Sequence, residues 1–464
     1  MKRLKLPLPT LRLLPSRLPL RTFTTSTRLQ DAPPSDQPTN KTLHHAIATQ
    51  TGLYSTLKYS PGAPFFLPHG TRVFNRLVEF LRAQYSLYGF QEVITPTVFS
   101  DELWEKSGHM QNFREDMFRV SSGKKDGDEG GYSLKPMNCP GHCLLYKVRT
   151  HGWADLPLRF AEFAPLHRDE IRSALTGLTR VRRFHQDDAH IFCRRDQIAA
   201  EISATLSMIE TVYSVFSLSN YKFLLSTRPE KYMGSLSDWD AAEEALKTSL
   251  DATGRDWKIN EGDGAFYGPK IDVILVDGQG KEHQTATVQL DFQLPQKFEL
   301  TYDSSINNQG AGGKEETPVI IHRAIFGSLE RFMALLIEKY QKRWPFWMSP
   351  RQVKVIPVAN TPQILSFAEK TRDVLAGVVK GEKRQVMGKR TFFVDLEERN
   401  LGLNKAIREA KSAGYNVIVV IGQNEVDGGE VGWDVWEGGG YVKKTAEGVE
   451  GVYQKLVRME EEYQ

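Results

Sequence analysis

Cysteine is nearly missing from this chain: Cys139, Cys143 and Cys193 are the only three in 464 residues. Three thiols cannot make a disulfide framework, which excludes the stapled secreted domains and favours a reducing compartment. Long apolar runs are missing too; nothing approaches the roughly 18 residues of a membrane span, so none is expected. Nor does one sign of charge dominate, since 60 basic and 57 acidic side chains leave a formal +3. Bulk charge therefore gives no case for a nucleic-acid partner, and any such contact has to be local.

Acid is absent from one place in particular. The first 30 residues hold seven Lys or Arg and no Asp or Glu before Asp31. With its Leu, Ser and Thr bias this stretch resembles a mitochondrial presequence, the alternative being a basic tail that touches RNA or lipid. "DAPPSDQPTNK" then suits a linker, so folding is expected after about residue 40.

What is present reads as mixed α and β. An apolar content of 40% over this length can bury more than one core. In "TRVFNRLVEFLRAQYSLY" (71–88), Val73, Phe74, Leu77, Val78 and Leu81 recur at helical spacing and predict an amphipathic helix. "SSGKKDGDEGG" (121–131) and "NNQGAGGKEE" (307–316) have nothing to bury and read as surface loops. After "WPFWMSP", strand-like "VKVIPVA", "TFFVDL" and "NVIVVIG" alternate with helical "QILSFAEKTRDVL" and "LNKAIREAKSAGY". That rhythm predicts a separate α/β domain from about Pro350.

Two stretches carry candidate chemistry. If "RFHQDDAHIF" (183–192) is a strand, its period of two sends Phe184, Gln186, Asp188 and His190 to one face and His185, Asp187, Ala189 and Ile191 to the other. The first face would combine an aromatic platform, an amide, a carboxylate and an imidazole; a solvated polar strand is the plainer alternative. In "HRDE" a guanidinium, Arg168, precedes the carboxylate Glu170 by two residues. The fork suits a phosphate or carboxylate, and the glutamate can accept from an amino group, although a surface ion pair would look the same. "MNCPGHC" (137–143) is open among a metal site, a redox pair and a simple turn. Its CxxxC spacing differs from the redox CxxC.

Together these segments resemble the class II aminoacyl-tRNA synthetases, and within them the threonyl-tRNA synthetases, from about Thr51 to the C-terminus. "YGFQEVITP", with Pro96, looks like class II motif 1; residues 156–192, from "LPLRFAEF" to "DDAHIF", look like motif 2; "FGSLERF", with Arg331, looks like motif 3. "LWEKSGHM", "KPMNCPGH", "LSTRPEK", "GAFYGPKID" and "TVQLDFQLP" are similar to threonyl-type segments between them. The resemblance implies an α+β catalytic domain built on an antiparallel sheet (41–349), following a presequence and linker (1–40) and followed by a smaller α/β anticodon-binding domain (350–464). It also implies a mitochondrial-matrix enzyme that adenylates threonine with ATP and passes it to the 3′ end of tRNA(Thr), with a homodimer formed through motif 1.

The same resemblance implies a zinc ion held by Cys139, His190 and His322, with His142 and Cys143 as bystanders and Cys193 packed under the strand. Threonine would fill the open positions with its amino nitrogen and hydroxyl, and Asp188 would accept the hydroxyl proton. Valine has no hydroxyl to offer; serine lacks only a methyl, a difference of roughly 1 to 3 kcal/mol, and should leak through. For ATP, with Mg2+, the implied contacts are Arg168 at the α-phosphate, Arg180 at the γ-phosphate, Glu170 at the adenine amino group, and Phe184 and Arg331 on either side of the base. Met137, Gln186, Tyr267, Gln289 and Ser328 match positions lining the threonine and ATP pocket, and His109 matches one near the accepting ribose. The few tens of residues between presequence and core leave no room for the N-terminal editing domain of many threonyl enzymes, so no dedicated editing site is expected.

The C-terminal domain departs from the family pattern, because Ser412 to Val442 contains no Lys or Arg. Arg399 or Lys443 is expected to meet phosphate instead, with Trp433 and Trp436 either stacking on bases or buried in the core. Two alternatives to a threonyl enzyme stand at this stage: a prolyl-tRNA synthetase, which would not need the Cys139, His190 and His322 trio, and a synthetase-like binding protein, which would not need the whole ATP set.

Overall fold

The structure, a computed structural model, describes residues 42–121, 131–276, 280–305, 314–380 and 385–464. The presequence reading for 1–40 and most of the two glycine-rich segments, 122–130 and 306–313, lie outside these residues. The end of the second segment does not stay a loop: Glu315–Glu316 pairs antiparallel with Tyr302–Asp303, and Tyr302 donates to Glu316 at 2.9 Å. A backbone ladder needs no apolar side chain, which is why polarity alone misread it.

Two helices come first, α1 (Leu43–Thr51) and α2 (Pro68–Leu87). α2 covers the predicted helix and starts three residues earlier, at Pro68, where a missing N–H costs nothing. It buries Val73, Leu77, Val78, Phe80, Leu81 and Tyr85, and leaves Phe74 half-buried against the His185 ring.

The larger part of the described chain is built on one nine-stranded sheet. Its strands are β1 (Gln91–Glu92), β2 (Leu158–Glu162), β3 (Pro165–His167), β4 (Arg183–Cys193), β5 (Tyr221–Ser226), β6 (Trp257–Asn260), β7 (Lys270–Val276), β8 (Glu282–Asp291) and β9 (Val319–Ser328). They lie in the order β6-β5-β7-β8-β9-β4-β2-β1, with β3 beside β4. Only β5/β6 and β1/β2 run parallel; every other pair is antiparallel. One face packs on helices Ile198–Val215 and α3 (Leu329–Tyr340) around the main apolar core, which includes Ala189, Ile191 and Cys193 of β4. Asp187 lies on that face too, buried and bonded by the Tyr85 hydroxyl and the backbone N–H groups of Ile325 and Phe326.

A second sheet follows, of strands Val353–Pro357, Val394–Leu396, Val417–Ile421, Glu430–Trp436 and Tyr441–Gly448. The first three run parallel and alternate with helices, as the sequence rhythm predicts; the last two close it antiparallel. Glu430–Trp436 alternates strictly, so Val431, Trp433 and Val435 enter the core while the residues between face outward. This decides the tryptophan question. Trp433 is 4% exposed and donates to Glu447, and Trp436 is covered by the Arg343 guanidinium 4.1 Å from its ring centroid. Trp433 therefore belongs to the core, and one face of the half-buried Trp436 is taken by Arg343. Arg399 is not free for phosphate either, because Glu397 grips it at 2.7 Å and Glu409 lies at 3.0 Å. Lys443 remains exposed.

Candidate active site

Antiparallel register gathers the site from distant segments. Across β8, β9, β4 and β2, the positions Gln289, His322, His190 and Phe160 stand side by side in one row. Two residues along, Thr287, Ala324, Asp188 and Glu162 form the next row on the same face. Phe184 and Gln186 continue that face along β4, so the alternation expected of residues 183–192 is what the strand displays. Over this face lies a short helix, Cys139–Tyr146, seated on Phe160, Phe192, Leu294 and Ile320. Cys139 and His142 are one turn apart and point together at the sheet.

The Cys139 thiol and one nitrogen each of His190 and His322 lie within 4.8 Å of one another, all three residues buried. Thiolate and imidazole are the donors that zinc takes, and three protein ligands leave it an open position. Burial, then the charge of Asp188, pushes the Cys139 thiol well above its ordinary value. A thiolate here needs a cation beside it, which a bound metal supplies. Burial likewise raises Cys143, which lies in the apolar cluster beneath the helix and takes no part in the trio. The donor set fits a zinc ion.

Each ring is held from behind. His322 Nε2 lies 2.8 Å from Asp291, whose other oxygen accepts from the N–H groups of Gln293 and Leu294. His190 Nδ1 lies 2.7 Å from His142 Nδ1, and His142 Nε2 lies 3.2 Å from Glu162. Asp188 accepts from Asn138 at 3.1 Å. Tyr267 packs on His322, and Gln289 donates to the Gly268 carbonyl. His109 is fully buried, with Nε2 3.3 Å from Met137 Sδ and 3.8 Å from Cys139 Sγ. Burial, with the charges of His322, Lys297 and Arg168, takes its pKa down to about 3. Sequence reasoning passed over Asp291, Asn138 and Glu162, and read His142 as a bystander; for His142 the helical i+3 spacing from Cys139 was the available signal.

Beside this centre lies a cluster of guanidinium groups. The Arg168 guanidinium sits over Phe184 at 5.0 Å and Phe113 at 5.5 Å, and donates to the Pro136 carbonyl. Arg331 ties the motif 2 loop to β8 by donating to Thr179 and Gln284 carbonyls, and Ser328 caps its helix by accepting from the Arg331 N–H. Burial lowers Arg331, and the charges of Arg168 and Arg180 lower it further. Crowded guanidinium groups favour an anion. Arg180 itself is paired with Glu170 at 2.7 Å, so these two side chains occupy each other.

The motif 2 loop has an anchor that no motif signalled. His44 of α1 accepts the Leu178 N–H at Nε2, 3.1 Å away, while its Nδ1 lies 2.9 Å from Glu338. Gly177 makes this possible: its φ is +49°, and a Cβ there would lie 2.1 Å from His44 Nε2.

The class II tRNA synthetase core domain family (G, H, P, S and T) matches residues 118–340, and the anticodon binding domain family matches 352–435. The chain is 50% identical over 389 residues to a probable mitochondrial threonine--tRNA ligase of Schizosaccharomyces pombe, covering 83% of this chain and 82% of that protein. It is 48% identical over 389 residues to the cytoplasmic threonine--tRNA ligase 1 of Homo sapiens, but spans 50% of that protein's length against 84% of its own. Among solved structures, the RNA binding domain of threonyl-tRNA synthetase from Cryptosporidium parvum Iowa II is similar, with a TM-score of 0.81 and 39% identity over 90% of this chain and 98% of that one.

Proposed function

The chain belongs to the threonyl-tRNA synthetases, class II aminoacyl-tRNA ligases with a catalytic core and an anticodon-binding domain, and on that premise we propose that it selects threonine through a zinc ion held by Cys139, His190 and His322. The observation that carries this reading is the convergence of those three donors from a helix and two strands. A zinc ion so held keeps positions that an amino group and a hydroxyl can fill. Asp188, two residues from His190 on the same face, accepts the hydroxyl proton. Valine is rejected because a site built for a hydroxyl is left unpaired by an isostere without one.

Adenylation proceeds by positioning and charge stabilisation. The threonine carboxylate attacks the α-phosphate, the α–β phosphoanhydride bond breaks and pyrophosphate leaves, and Arg168 receives the charge that develops on the α-phosphate. Phe184 and Arg331 sandwich the adenine, Glu170 turns from Arg180 to the adenine amino group, and Arg180 then reaches the γ-phosphate. Mg2+ accompanies the triphosphate, as in class II enzymes generally. Met137, Gln186, Tyr267, Gln289 and Ser328 line the pocket, and His109, fully buried beside Met137, lies near the accepting ribose of tRNA(Thr). Motif 1 makes the homodimer contact, supported by the edge strand β1 and by Ile94, which is 88% exposed two residues beyond it. The matrix location rests on the basic, acid-free first 30 residues and on the mitochondrial relative.

Metal analysis paired with pyrophosphate exchange tests the reading. One zinc per chain is expected, with exchange supported by threonine, by serine roughly 10 to 200-fold less well, and by valine not at all. A metal-free protein with full threonine exchange would overturn it.

The His44 anchor makes a narrower prediction. Removing the acceptor leaves the Leu178 N–H unsatisfied at a cost of about 1 to 3 kcal/mol, so His44→Ala should raise KM for ATP about tenfold and leave KM for threonine unchanged. Burial holds the ring below its usual pKa, with Glu338 opposing. The folded state therefore favours the neutral ring, and this contribution is full above about pH 6.5 and is lost as the pH falls below it. The KM for ATP of the native protein should rise more steeply than that of the variant once the pH falls below about 6.5. Equal rises in both would refute the anchor.

A further inference from the structure

We propose that His142 and Glu162 are positioning residues that set the metal-binding form of His190, and that this relay is anchored in the motif 1 segment. The inference rests on the zinc reading above and concerns what lies behind the ligands.

A buried chain of contacts runs away from His190. His142 Nδ1 is 2.7 Å from His190 Nδ1, and His142 Nε2 is 3.2 Å from Glu162 Oε2. The Lys135 ammonium donates to Glu162 Oε1 at 2.9 Å, and Thr95 donates to the same carboxylate from its N–H at 2.7 Å and from its hydroxyl at 2.9 Å. Lys135 and His142 are 0% exposed and Glu162 is 1% exposed. Thr95 lies between Ile94 and Pro96, so the outer end of the chain is motif 1 itself.

Hydrogen-bond direction along this chain follows from chemistry. The Glu162 carboxylate only accepts, so His142 donates from Nε2 and presents a lone pair at Nδ1. That lone pair takes the hydrogen of His190 Nδ1, which leaves Nε2 of His190 free to face a metal. The outcome is the carboxylate-backed ligand pattern of many zinc sites, lengthened by one imidazole. Glu162 does not need His142 for its own satisfaction, because Lys135 and Thr95 already supply three donors. A ring whose second nitrogen meets the ligand is what the metal site gains.

The test is zinc affinity of the full-length protein, measured by competition with a chromophoric chelator, together with the d–d spectrum of the Co2+ form. His142→Leu keeps the volume and removes the acceptor; zinc affinity should fall about 10 to 100-fold, with KM for threonine rising and KM for ATP unchanged. His142→Asn restores an acceptor near Nδ1 and should bring affinity back to within about threefold. Lys135→Met combined with Glu162→Gln removes both charges at once; a several-fold loss of affinity reads the same link if His142→Leu folds poorly. Native affinity in the Leu variant or the double variant would overturn the relay alone, as would an Asn variant no better than Leu. A native chain that takes up no zinc would overturn the metal reading and the relay with it.

Discussion

Cys139→Ala should yield a folded protein without zinc whose threonine-dependent pyrophosphate exchange is down about a thousandfold while ATP still binds. Cys139 supplies the only sulfur of the trio. Losing a Lewis-acid contact to the substrate is worth several kcal/mol, and about 4 kcal/mol is a factor of roughly 10³. The fold should survive because the substitution removes one atom from a helix held by Phe160, Phe192, Leu294 and Ile320. ATP binding should survive because Arg168, Phe184 and Arg331 keep their own supports. Exchange kinetics and nucleotide titration on the same preparation check this. Exchange within tenfold of native would mean that the metal does not select the amino acid.

Arg168→Lys should cost about 10² to 10³ in the rate of exchange, the usual effect of removing one donor aimed at developing charge. The position is built for a planar guanidinium, stacked on Phe184 and Phe113 and donating from Nε to the Pro136 carbonyl. Lysine has neither the fork nor the flat face. Burial already lowers the pKa of Arg168. An ammonium in its place would lose its proton more readily, because the desolvation that a guanidinium withstands is enough to neutralise an amine. The loss should appear in kcat for exchange with little change in KM for threonine. A lysine variant within threefold of native would remove Arg168 from the chemistry.

Much of this architecture was legible beforehand, and what was not has physical reasons. The stripe Val73, Leu77, Val78 and Leu81 announced α2, and the strict alternation of residues 183–192 put Phe184, Gln186, Asp188 and His190 on one face. Both signals are local. Trp433 could have gone either way until Glu430–Trp436 was seen paired on both sides, which fixes its inward positions. Arg399 looked free because Glu409, one of its two carboxylate partners, lies on a different element. Residues 315–316 looked like loop because a backbone ladder needs no apolar side chain to mark it in the sequence.

The sequence by itself determined which side chains share a face of each helix and strand, since a period of 3.6 or 2 follows from covalent geometry and needs no neighbour. Only the tertiary structure decided that His322 stands beside His190, that Cys139 and His142 come down on them, and that Glu162 and Thr95 stand behind. Which strands become neighbours, and in what register, is settled by burying both faces of the sheet while pairing every backbone group, a condition that the whole chain satisfies at once and no short segment contains.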